Sequence, residues 1–84
     1  MQTIEAGLNR FLVANGLFPE HAQAVIAEVK ALPGSAGLKF SDPEAAYPLT
    51  MIAVLQMSAR RAAIAWMERE RPNHFALTHL RLDV

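Results

Sequence analysis

The sequence predicts an all-α domain, a small bundle of three to four helices around one long central helix at residues 48–71. Three observations carry that prediction. Apolar residues recur at helical spacing in three separate stretches. Proline and glycine punctuate the gaps between those stretches. Apolar residues make up 52% of the chain against 19% charged, which is far from the composition of a disordered protein. Eighty-four residues supply material for a single domain, 1–84, with one core.

The first element follows Thr3, whose hydroxyl suits an N-cap. Ile4, Leu8, Phe11 and Leu12 then recur on one side, and Asn15-Gly16 offers the left-handed stop that helices favour. A first helix is predicted over about 3–15. Pro19 fits the first turn of a second helix, and Glu20 favours its positive end. Ala22, Val25, Ile26, Val29 and Leu32 give it an apolar stripe until Pro33-Gly34 ends it, so it spans about 19–32. The short link Asn15-Gly16-Leu17-Phe18 makes the pair an antiparallel hairpin.

Residues 33–47 contain two prolines, two glycines and two serines, a loop composition. Within it, Asp42-Pro43 reads as the start of one short helical turn, with Asp42 capping. Pro48 then opens a new helix rather than continuing the old one.

In the central helix, Ile52, Leu55, Ala59, Ala62 and Trp66 project to one side as the core stripe. Val54, Met57 and Ile64 project to the opposite side, beside Thr50, Arg61 and Glu68. A helix apolar on more than one side must be covered by something. The C-terminal segment, the 33–47 loop or another molecule could cover this second face. Glu68-Arg69-Glu70-Arg71 closes the helix on a charged turn before Pro72. Asn73 can cap a final short helix through about Leu80, anchored by Phe75, Leu77 and Leu80. Alternatively, Leu80, Leu82 and Val84 alternate with Arg81 and Asp83 as a strand, pairing with Leu38–Phe40 in a minor two-stranded ribbon (38–40 with 80–84).

Charge excludes several function classes. Eight basic residues balance eight acidic ones, and neither half of the chain is strongly basic or acidic. Nucleic acid is therefore not the expected partner. An alternative reading, a nucleic-acid-binding accessory protein, would use Arg60, Arg61, Arg69 and Arg71 with Lys39, but Glu68 and Glu70 interleave with those cations. With no cysteine there is no disulfide, thiolate zinc site or cysteine nucleophile, which suits a cytoplasmic protein. Met1–Arg10 lacks a basic start followed by an apolar run and is expected to be mature sequence. Gln56, Ser58, Arg60 and Arg61 interrupt the apolar run of the long helix, so no membrane span is expected.

The search for chemistry finds no cofactor and no catalytic motif. His74 and His79 lie five apart, missing the i, i+4 spacing that offers two imidazoles to one metal. His79 and Asp83 have that spacing, but a site would need His21 or Glu20 to complete it, and solvated histidines are the simpler reading. None of Ser35, Ser41, Ser58, Thr50 or Thr78 sits in a nucleophile elbow. Pro33-Gly34-Ser35-Ala36-Gly37-Leu38-Lys39 has the wrong spacing for a phosphate loop and follows a helix rather than a strand. A small ligand-binding bundle would need a pocket at His21, His74 or Trp66.

What remains is the second face of the central helix, where arginine beside methionine and aliphatic anchors has the chemistry of a protein interface. The expected function is a non-enzymatic protein-interaction module of inhibitor or adaptor type, with a homodimer as one form of that interaction. Candidate partner-binding residues are Val54, Met57, Arg60, Arg61, Ile64 and Glu68. Small accessory proteins of phages and mobile elements, such as anti-defence inhibitors and antitoxins, fit this class. Against it stands the expectation that Arg61 simply pairs on the surface with Glu68 or Glu44.

Overall fold

The structure, a computed structural model, describes residues 2–33 and 38–70. Within them the fold is all-α, with α1 at Ile4–Ala14, α2 at Pro19–Ala31 and α3 at Leu49–Glu70, and each helix packs on the other two. A short 3-10 turn, Glu44–Ala46, precedes α3. The predicted helix or strand of residues 73–84 lies outside the described residues, so the C-terminal half of the ribbon does too. Leu38 and Lys39 form no strand, and Phe40 lies in a turn.

Local chemistry accounts for each boundary. The Thr3 hydroxyl accepts from the Ala6 N–H at 3.1 Å, the N-cap bond expected of it. Gly16 ends α1 with φ of 107°, a conformation that L side chains avoid, while the Asn15 side-chain amide donates back to the Phe11 carbonyl at 2.7 Å. Pro19 occupies the first turn of α2, where a missing N–H costs nothing. The hairpin is antiparallel, since Lys30 near the end of α2 pairs with Glu5 at the start of α1.

The core is one cluster. Ile4, Leu8 and Leu12 of α1 meet Ala22, Val25, Ile26 and Val29 of α2, and Leu17 and Phe40 close its ends. From α3 come Ile52, Leu55, Ala59, Ala63 and Met67, with Ala62, Ile64 and Trp66 only partly buried around them. The buried stripe therefore differs from the predicted one in its second half, where Ala63 and Met67 replace Ala62 and Trp66. Its steps of four residues turn it by about 40° per step relative to the helix axis. On either edge of the stripe α3 has a different neighbour: Arg60 reaches Phe11 of α1 and Asn15 just beyond it, whereas Trp66 and Arg69 reach His21 and Glu28 of α2.

The connection between α2 and α3 is fastened to the start of α1. The Ile4 N–H donates to the Asp42 carbonyl at 3.0 Å and the Glu5 N–H to the Phe40 carbonyl at 2.9 Å, while the Glu44 N–H donates to the Gln2 carbonyl at 2.9 Å. Two of the N–H groups that every helix leaves unpaired at its N-terminus are thus satisfied by a distant loop. Asp42 does not cap the next turn, as the sequence predicts; Pro43 holds that position. The Asp42 carboxylate instead accepts from the Tyr47 hydroxyl at 2.8 Å, closing the loop on itself.

Gly7 makes the close approach feasible, because a Cβ there would lie 2.1 Å from Glu44 Oε2. Gly7→Ala gains helix propensity of roughly 1 kcal/mol, but it displaces the Glu44 carboxylate and its 3.2 Å bond from Gln2. Urea denaturation of four proteins (wild type, Gly7→Ala, Glu44→Ala and the double variant) is expected to show a clear stabilisation by alanine at position 7 only when Glu44 is absent. Equal effects in both backgrounds would mean that Glu44 does not constrain the site.

Tyr47 is the one tyrosine of the chain. Its hydroxyl is held above its ordinary pKa of 10.0, first by the hydrogen bond to Asp42, then by partial burial and by the nearby negative charge. The raised pKa means that the folded state favours the protonated phenol. The resulting stabilisation is complete below the unfolded-state value near 10 and disappears as pH rises through the higher folded-state value. Absorbance titration near 295 nm is expected to place Tyr47 above 10 in the folded protein and lower in Asp42→Asn, with thermal stability falling in the same alkaline range.

Candidate functional site

Among the described residues, the N-terminal half of α3 carries most of the large apolar side chains left uncovered. Leu49 is 86% exposed, Val54 60% and Met57 47%, with Met51 less so. The remaining exposed large hydrophobics, Val13, Phe18 and Leu32, are spread over three other places in the chain. Leu49 and Met67 are eighteen residues apart, about five full helical turns, so they occupy the same angular position on α3. Met67 is nevertheless fully buried. Ile52 and Leu55 already join the core in the first two turns, so α3 is covered on that side from its start; Leu49, the first residue of the helix, stands uncovered, and Val54 and Met57 point away from the buried stripe.

The predicted partner-binding residues separate into two groups. Val54, Met57, Arg61 and Glu68 are exposed, and Arg61 forms no ion pair with Glu68 or Glu44. Ile64 turns inward and packs against the core, and Arg60 turns toward α1. Adjacent positions on a helix point about 100° apart, which is enough to send Arg60 into a groove and Arg61 to solvent.

Among the described residues, Arg60 is the charged side chain with a buried polar atom left without a partner. Its guanidinium lies over the Phe11 ring at 5.4 Å, a cation–π contact. Its Nη2 donates to Asn15 Oδ1 at 3.4 Å, near the limit of a hydrogen bond. Its Nε is buried with no acceptor. Phe11, Ala53, Gln56, Met57 and Arg60 together line a cleft of about 170 Å³ between α1 and α3.

A larger cleft of about 360 Å³ opens on the other side of α1, between Thr3, Glu5, Ala6, Asn9, Gln23, Ile26, Phe40 and Ser41. Its charged group is already engaged, since Glu5 pairs with Lys30 at 2.5 Å, and Lys30 also sits 5.8 Å over the Phe40 ring. The Asn9 side-chain oxygen is buried there without a donor. The smaller cleft combines an unpaired cation with adjoining exposed apolar side chains, and this makes it the stronger candidate.

The other sequence candidates are distributed elsewhere. His21 lies between Phe18, at 5.5 Å edge-on, and Trp66, at 4.9 Å, joining α2 to α3. His74, His79 and Asp83, weighed as metal ligands and set aside in favour of solvated side chains, lie outside the described residues, as does Arg71. Among the described residues no group of three histidines or carboxylates could hold a metal ion, and no helix is long and apolar enough to cross a membrane. Arg69 pairs with Glu28 and lies 4.0 Å from Glu70, so it does not pool its charge with Arg60 or Arg61.

Sequence reasoning missed Leu49, Met51, Phe11 and Gln56. Periodicity places Leu49 in line with the buried Met67, and a helical projection does not report that the first residue of the helix lies uncovered. Comparison with protein-family models, with curated proteins and with solved structures finds no match to this chain.

Leu49→Ser and Val54→Ser are expected to change unfolding free energy by less than about 0.5 kcal/mol each, as for exposed sites without structural partners. Leu55→Ala, at the residue next to Val54 but on the buried side, is expected to cost about 2–5 kcal/mol. A large loss at Leu49 or Val54 in urea titrations would show that the face is covered within the molecule.

Proposed function

We propose that this protein is a non-enzymatic protein-interaction module, of inhibitor or adaptor type, that binds its partner through the N-terminal half of α3. The observation that carries the reading is the grouping of four exposed side chains, Leu49, Met51, Val54 and Met57, on the first turns of α3, whose Ile52 and Leu55 face the core. Isolated exposed hydrophobics need no explanation; several within three turns of one helix have the character of an interface. Methionine adapts its shape to a partner, and arginine supplies directional hydrogen bonds, so Met57 with Arg60 and Arg61 provides both contact area and specificity. Relative to the sequence-level expectation, the proposed surface moves toward the start of α3 and loses Ile64, which is engaged with the core.

A nucleic-acid-binding role draws less support. Phosphate affinity rests on clustered, available cations. Arg60 is turned onto Phe11 and Arg69 is paired with Glu28, so among the described residues neither pools its charge with the exposed Arg61.

The test is site-specific photo-cross-linking in the native host, with the reactive group introduced at Val54 and, as a control, at Gln23 on α2. A discrete adduct at Val54, absent at Gln23 and abolished by Met57→Glu with Arg61→Glu at unchanged circular dichroism, supports the proposal. Identical products at both positions, or a Val54 adduct indifferent to the two glutamates, would overturn it.

A further inference from the structure

We infer that the cleft between α1 and α3 is a receptor for an acidic side chain, aspartate or glutamate, presented by the partner protein. Arg60 is its counter-ion, and Met57 and Phe11 hold the methylene stem. This deepens the proposed function and rests on it. The argument begins with what Arg60 lacks. A guanidinium has five N–H donors in a rigid fork and loses none of its charge at any physiological pH. Here those donors have one neutral acceptor, Asn15 Oδ1, at a long 3.4 Å, and Nε is buried with none. No carboxylate among the described residues pairs with it.

Taking a cation partly out of water without a counter-ion is unfavourable, and the alternatives open to a surface arginine are to extend into solvent or to find an anion. Arg60 does neither. The Phe11 ring orients the guanidinium but supplies no acceptor for Nε. The missing complement is a planar group with two acceptor oxygens, which a carboxylate provides side-on to the Nε and Nη edge. Phosphate would satisfy the charge equally well. The walls decide between them: Phe11, Ala53 and Met57 are apolar, and a cleft of about 170 Å³ accommodates a carboxylate with its methylenes flanked by carbon. Met57, unbranched and half exposed, is the wall that can move aside to open Nε.

The location links this cleft to the apolar face. Met57 belongs to both, so a partner side chain entering the cleft brings its neighbouring residues onto Val54 and the first turns of α3. An acidic residue flanked by aliphatic ones is the complementary sequence.

Two measurements on the full chain decide the matter. Arg60→Met keeps a flexible chain on Phe11 and removes the charge, so its melting temperature is expected to equal or exceed that of the wild type. A large fall would mean that the cation is satisfied internally and would overturn the inference. In NMR titrations, the blocked tripeptide acetyl-Leu-Glu-Leu-amide is expected to shift the Arg60 Nε–H resonance saturably. The glutamine analogue, at matched ionic strength, should bind at least about tenfold more weakly. An Arg60 resonance that ignores the peptide, or that answers both peptides alike, overturns the inference.

Cross-linking at Val54 separates this inference from the function it rests on. Loss of the adduct in Arg60→Met supports both. Persistence of the adduct in Arg60→Met overturns the carboxylate inference while leaving the docking face in place. A dimer detected by light scattering that Arg60→Met leaves intact would likewise assign the face to a second copy of the chain and overturn the carboxylate inference.

Discussion

Three backbone hydrogen bonds between the start of α1 and the loop at Phe40–Glu44 set the course of the rest of the chain. Without them the connection from α2 to α3 would be a free loop, and α3 could enter the bundle at many angles. With them, Phe40 is drawn into the core, and Pro43 lies beside Thr3 in a single antiparallel bridge. The entropic cost of ordering such a loop is offset by satisfying helix N–H groups that would otherwise depend on water. Gly7 lies under the same contact, where a Cβ would displace the Glu44 carboxylate that the returning loop brings against α1.

From that anchored loop the chain turns at Pro48, whose carbonyl receives the first hydrogen bonds of α3 from Met51 and Ile52. Twenty-two residues of helix extend about 33 Å, longer than either α1 or α2. One side of it is covered from Ile52 and Leu55 in the first turns to Met67 near the end. Val54 and Met57 point away from that side, and Leu49 stands uncovered at the first residue of the helix. The exposed apolar segment is thus the outward face of a helix packed along one side. Its use as an interface is the proposal that this geometry motivates.

Much of the fold could be read from the residues. Thr3, Asn15-Gly16, Pro19 and Pro48 each punctuate the chain through a mechanism that acts within a few residues, and the three helices begin and end within about two residues of the predicted positions. The long-range part was not legible. That Asp42 would turn to Tyr47 rather than cap a helix, and that loop carbonyls would cap α1 some forty residues away, depends on tertiary placement that no local rule encodes. The buried stripe of α3 was right at Ile52, Leu55 and Ala59. It departed from the projection afterwards, because a straight projection assumes one neighbour and α3 has two.

The candidate site shows the same division more sharply. The pair Arg60-Arg61 stands out in the sequence as charge amid apolar residues, but the sequence alone treats the two as equivalent. Their roles diverge because one faces Phe11 and Asn15 and the other faces water. An exposed arginine is energetically inexpensive and contributes little by its presence. A half-buried arginine over an aromatic ring, short of acceptors and next to uncovered methionine and valine, is costly to keep in the isolated fold. Stability alone does not account for that arrangement, since an uncharged chain of similar length would pack on Phe11 without the penalty. A partner that supplies the missing carboxylate would recover that cost on binding, which is the link between the strained arginine and the proposed docking face.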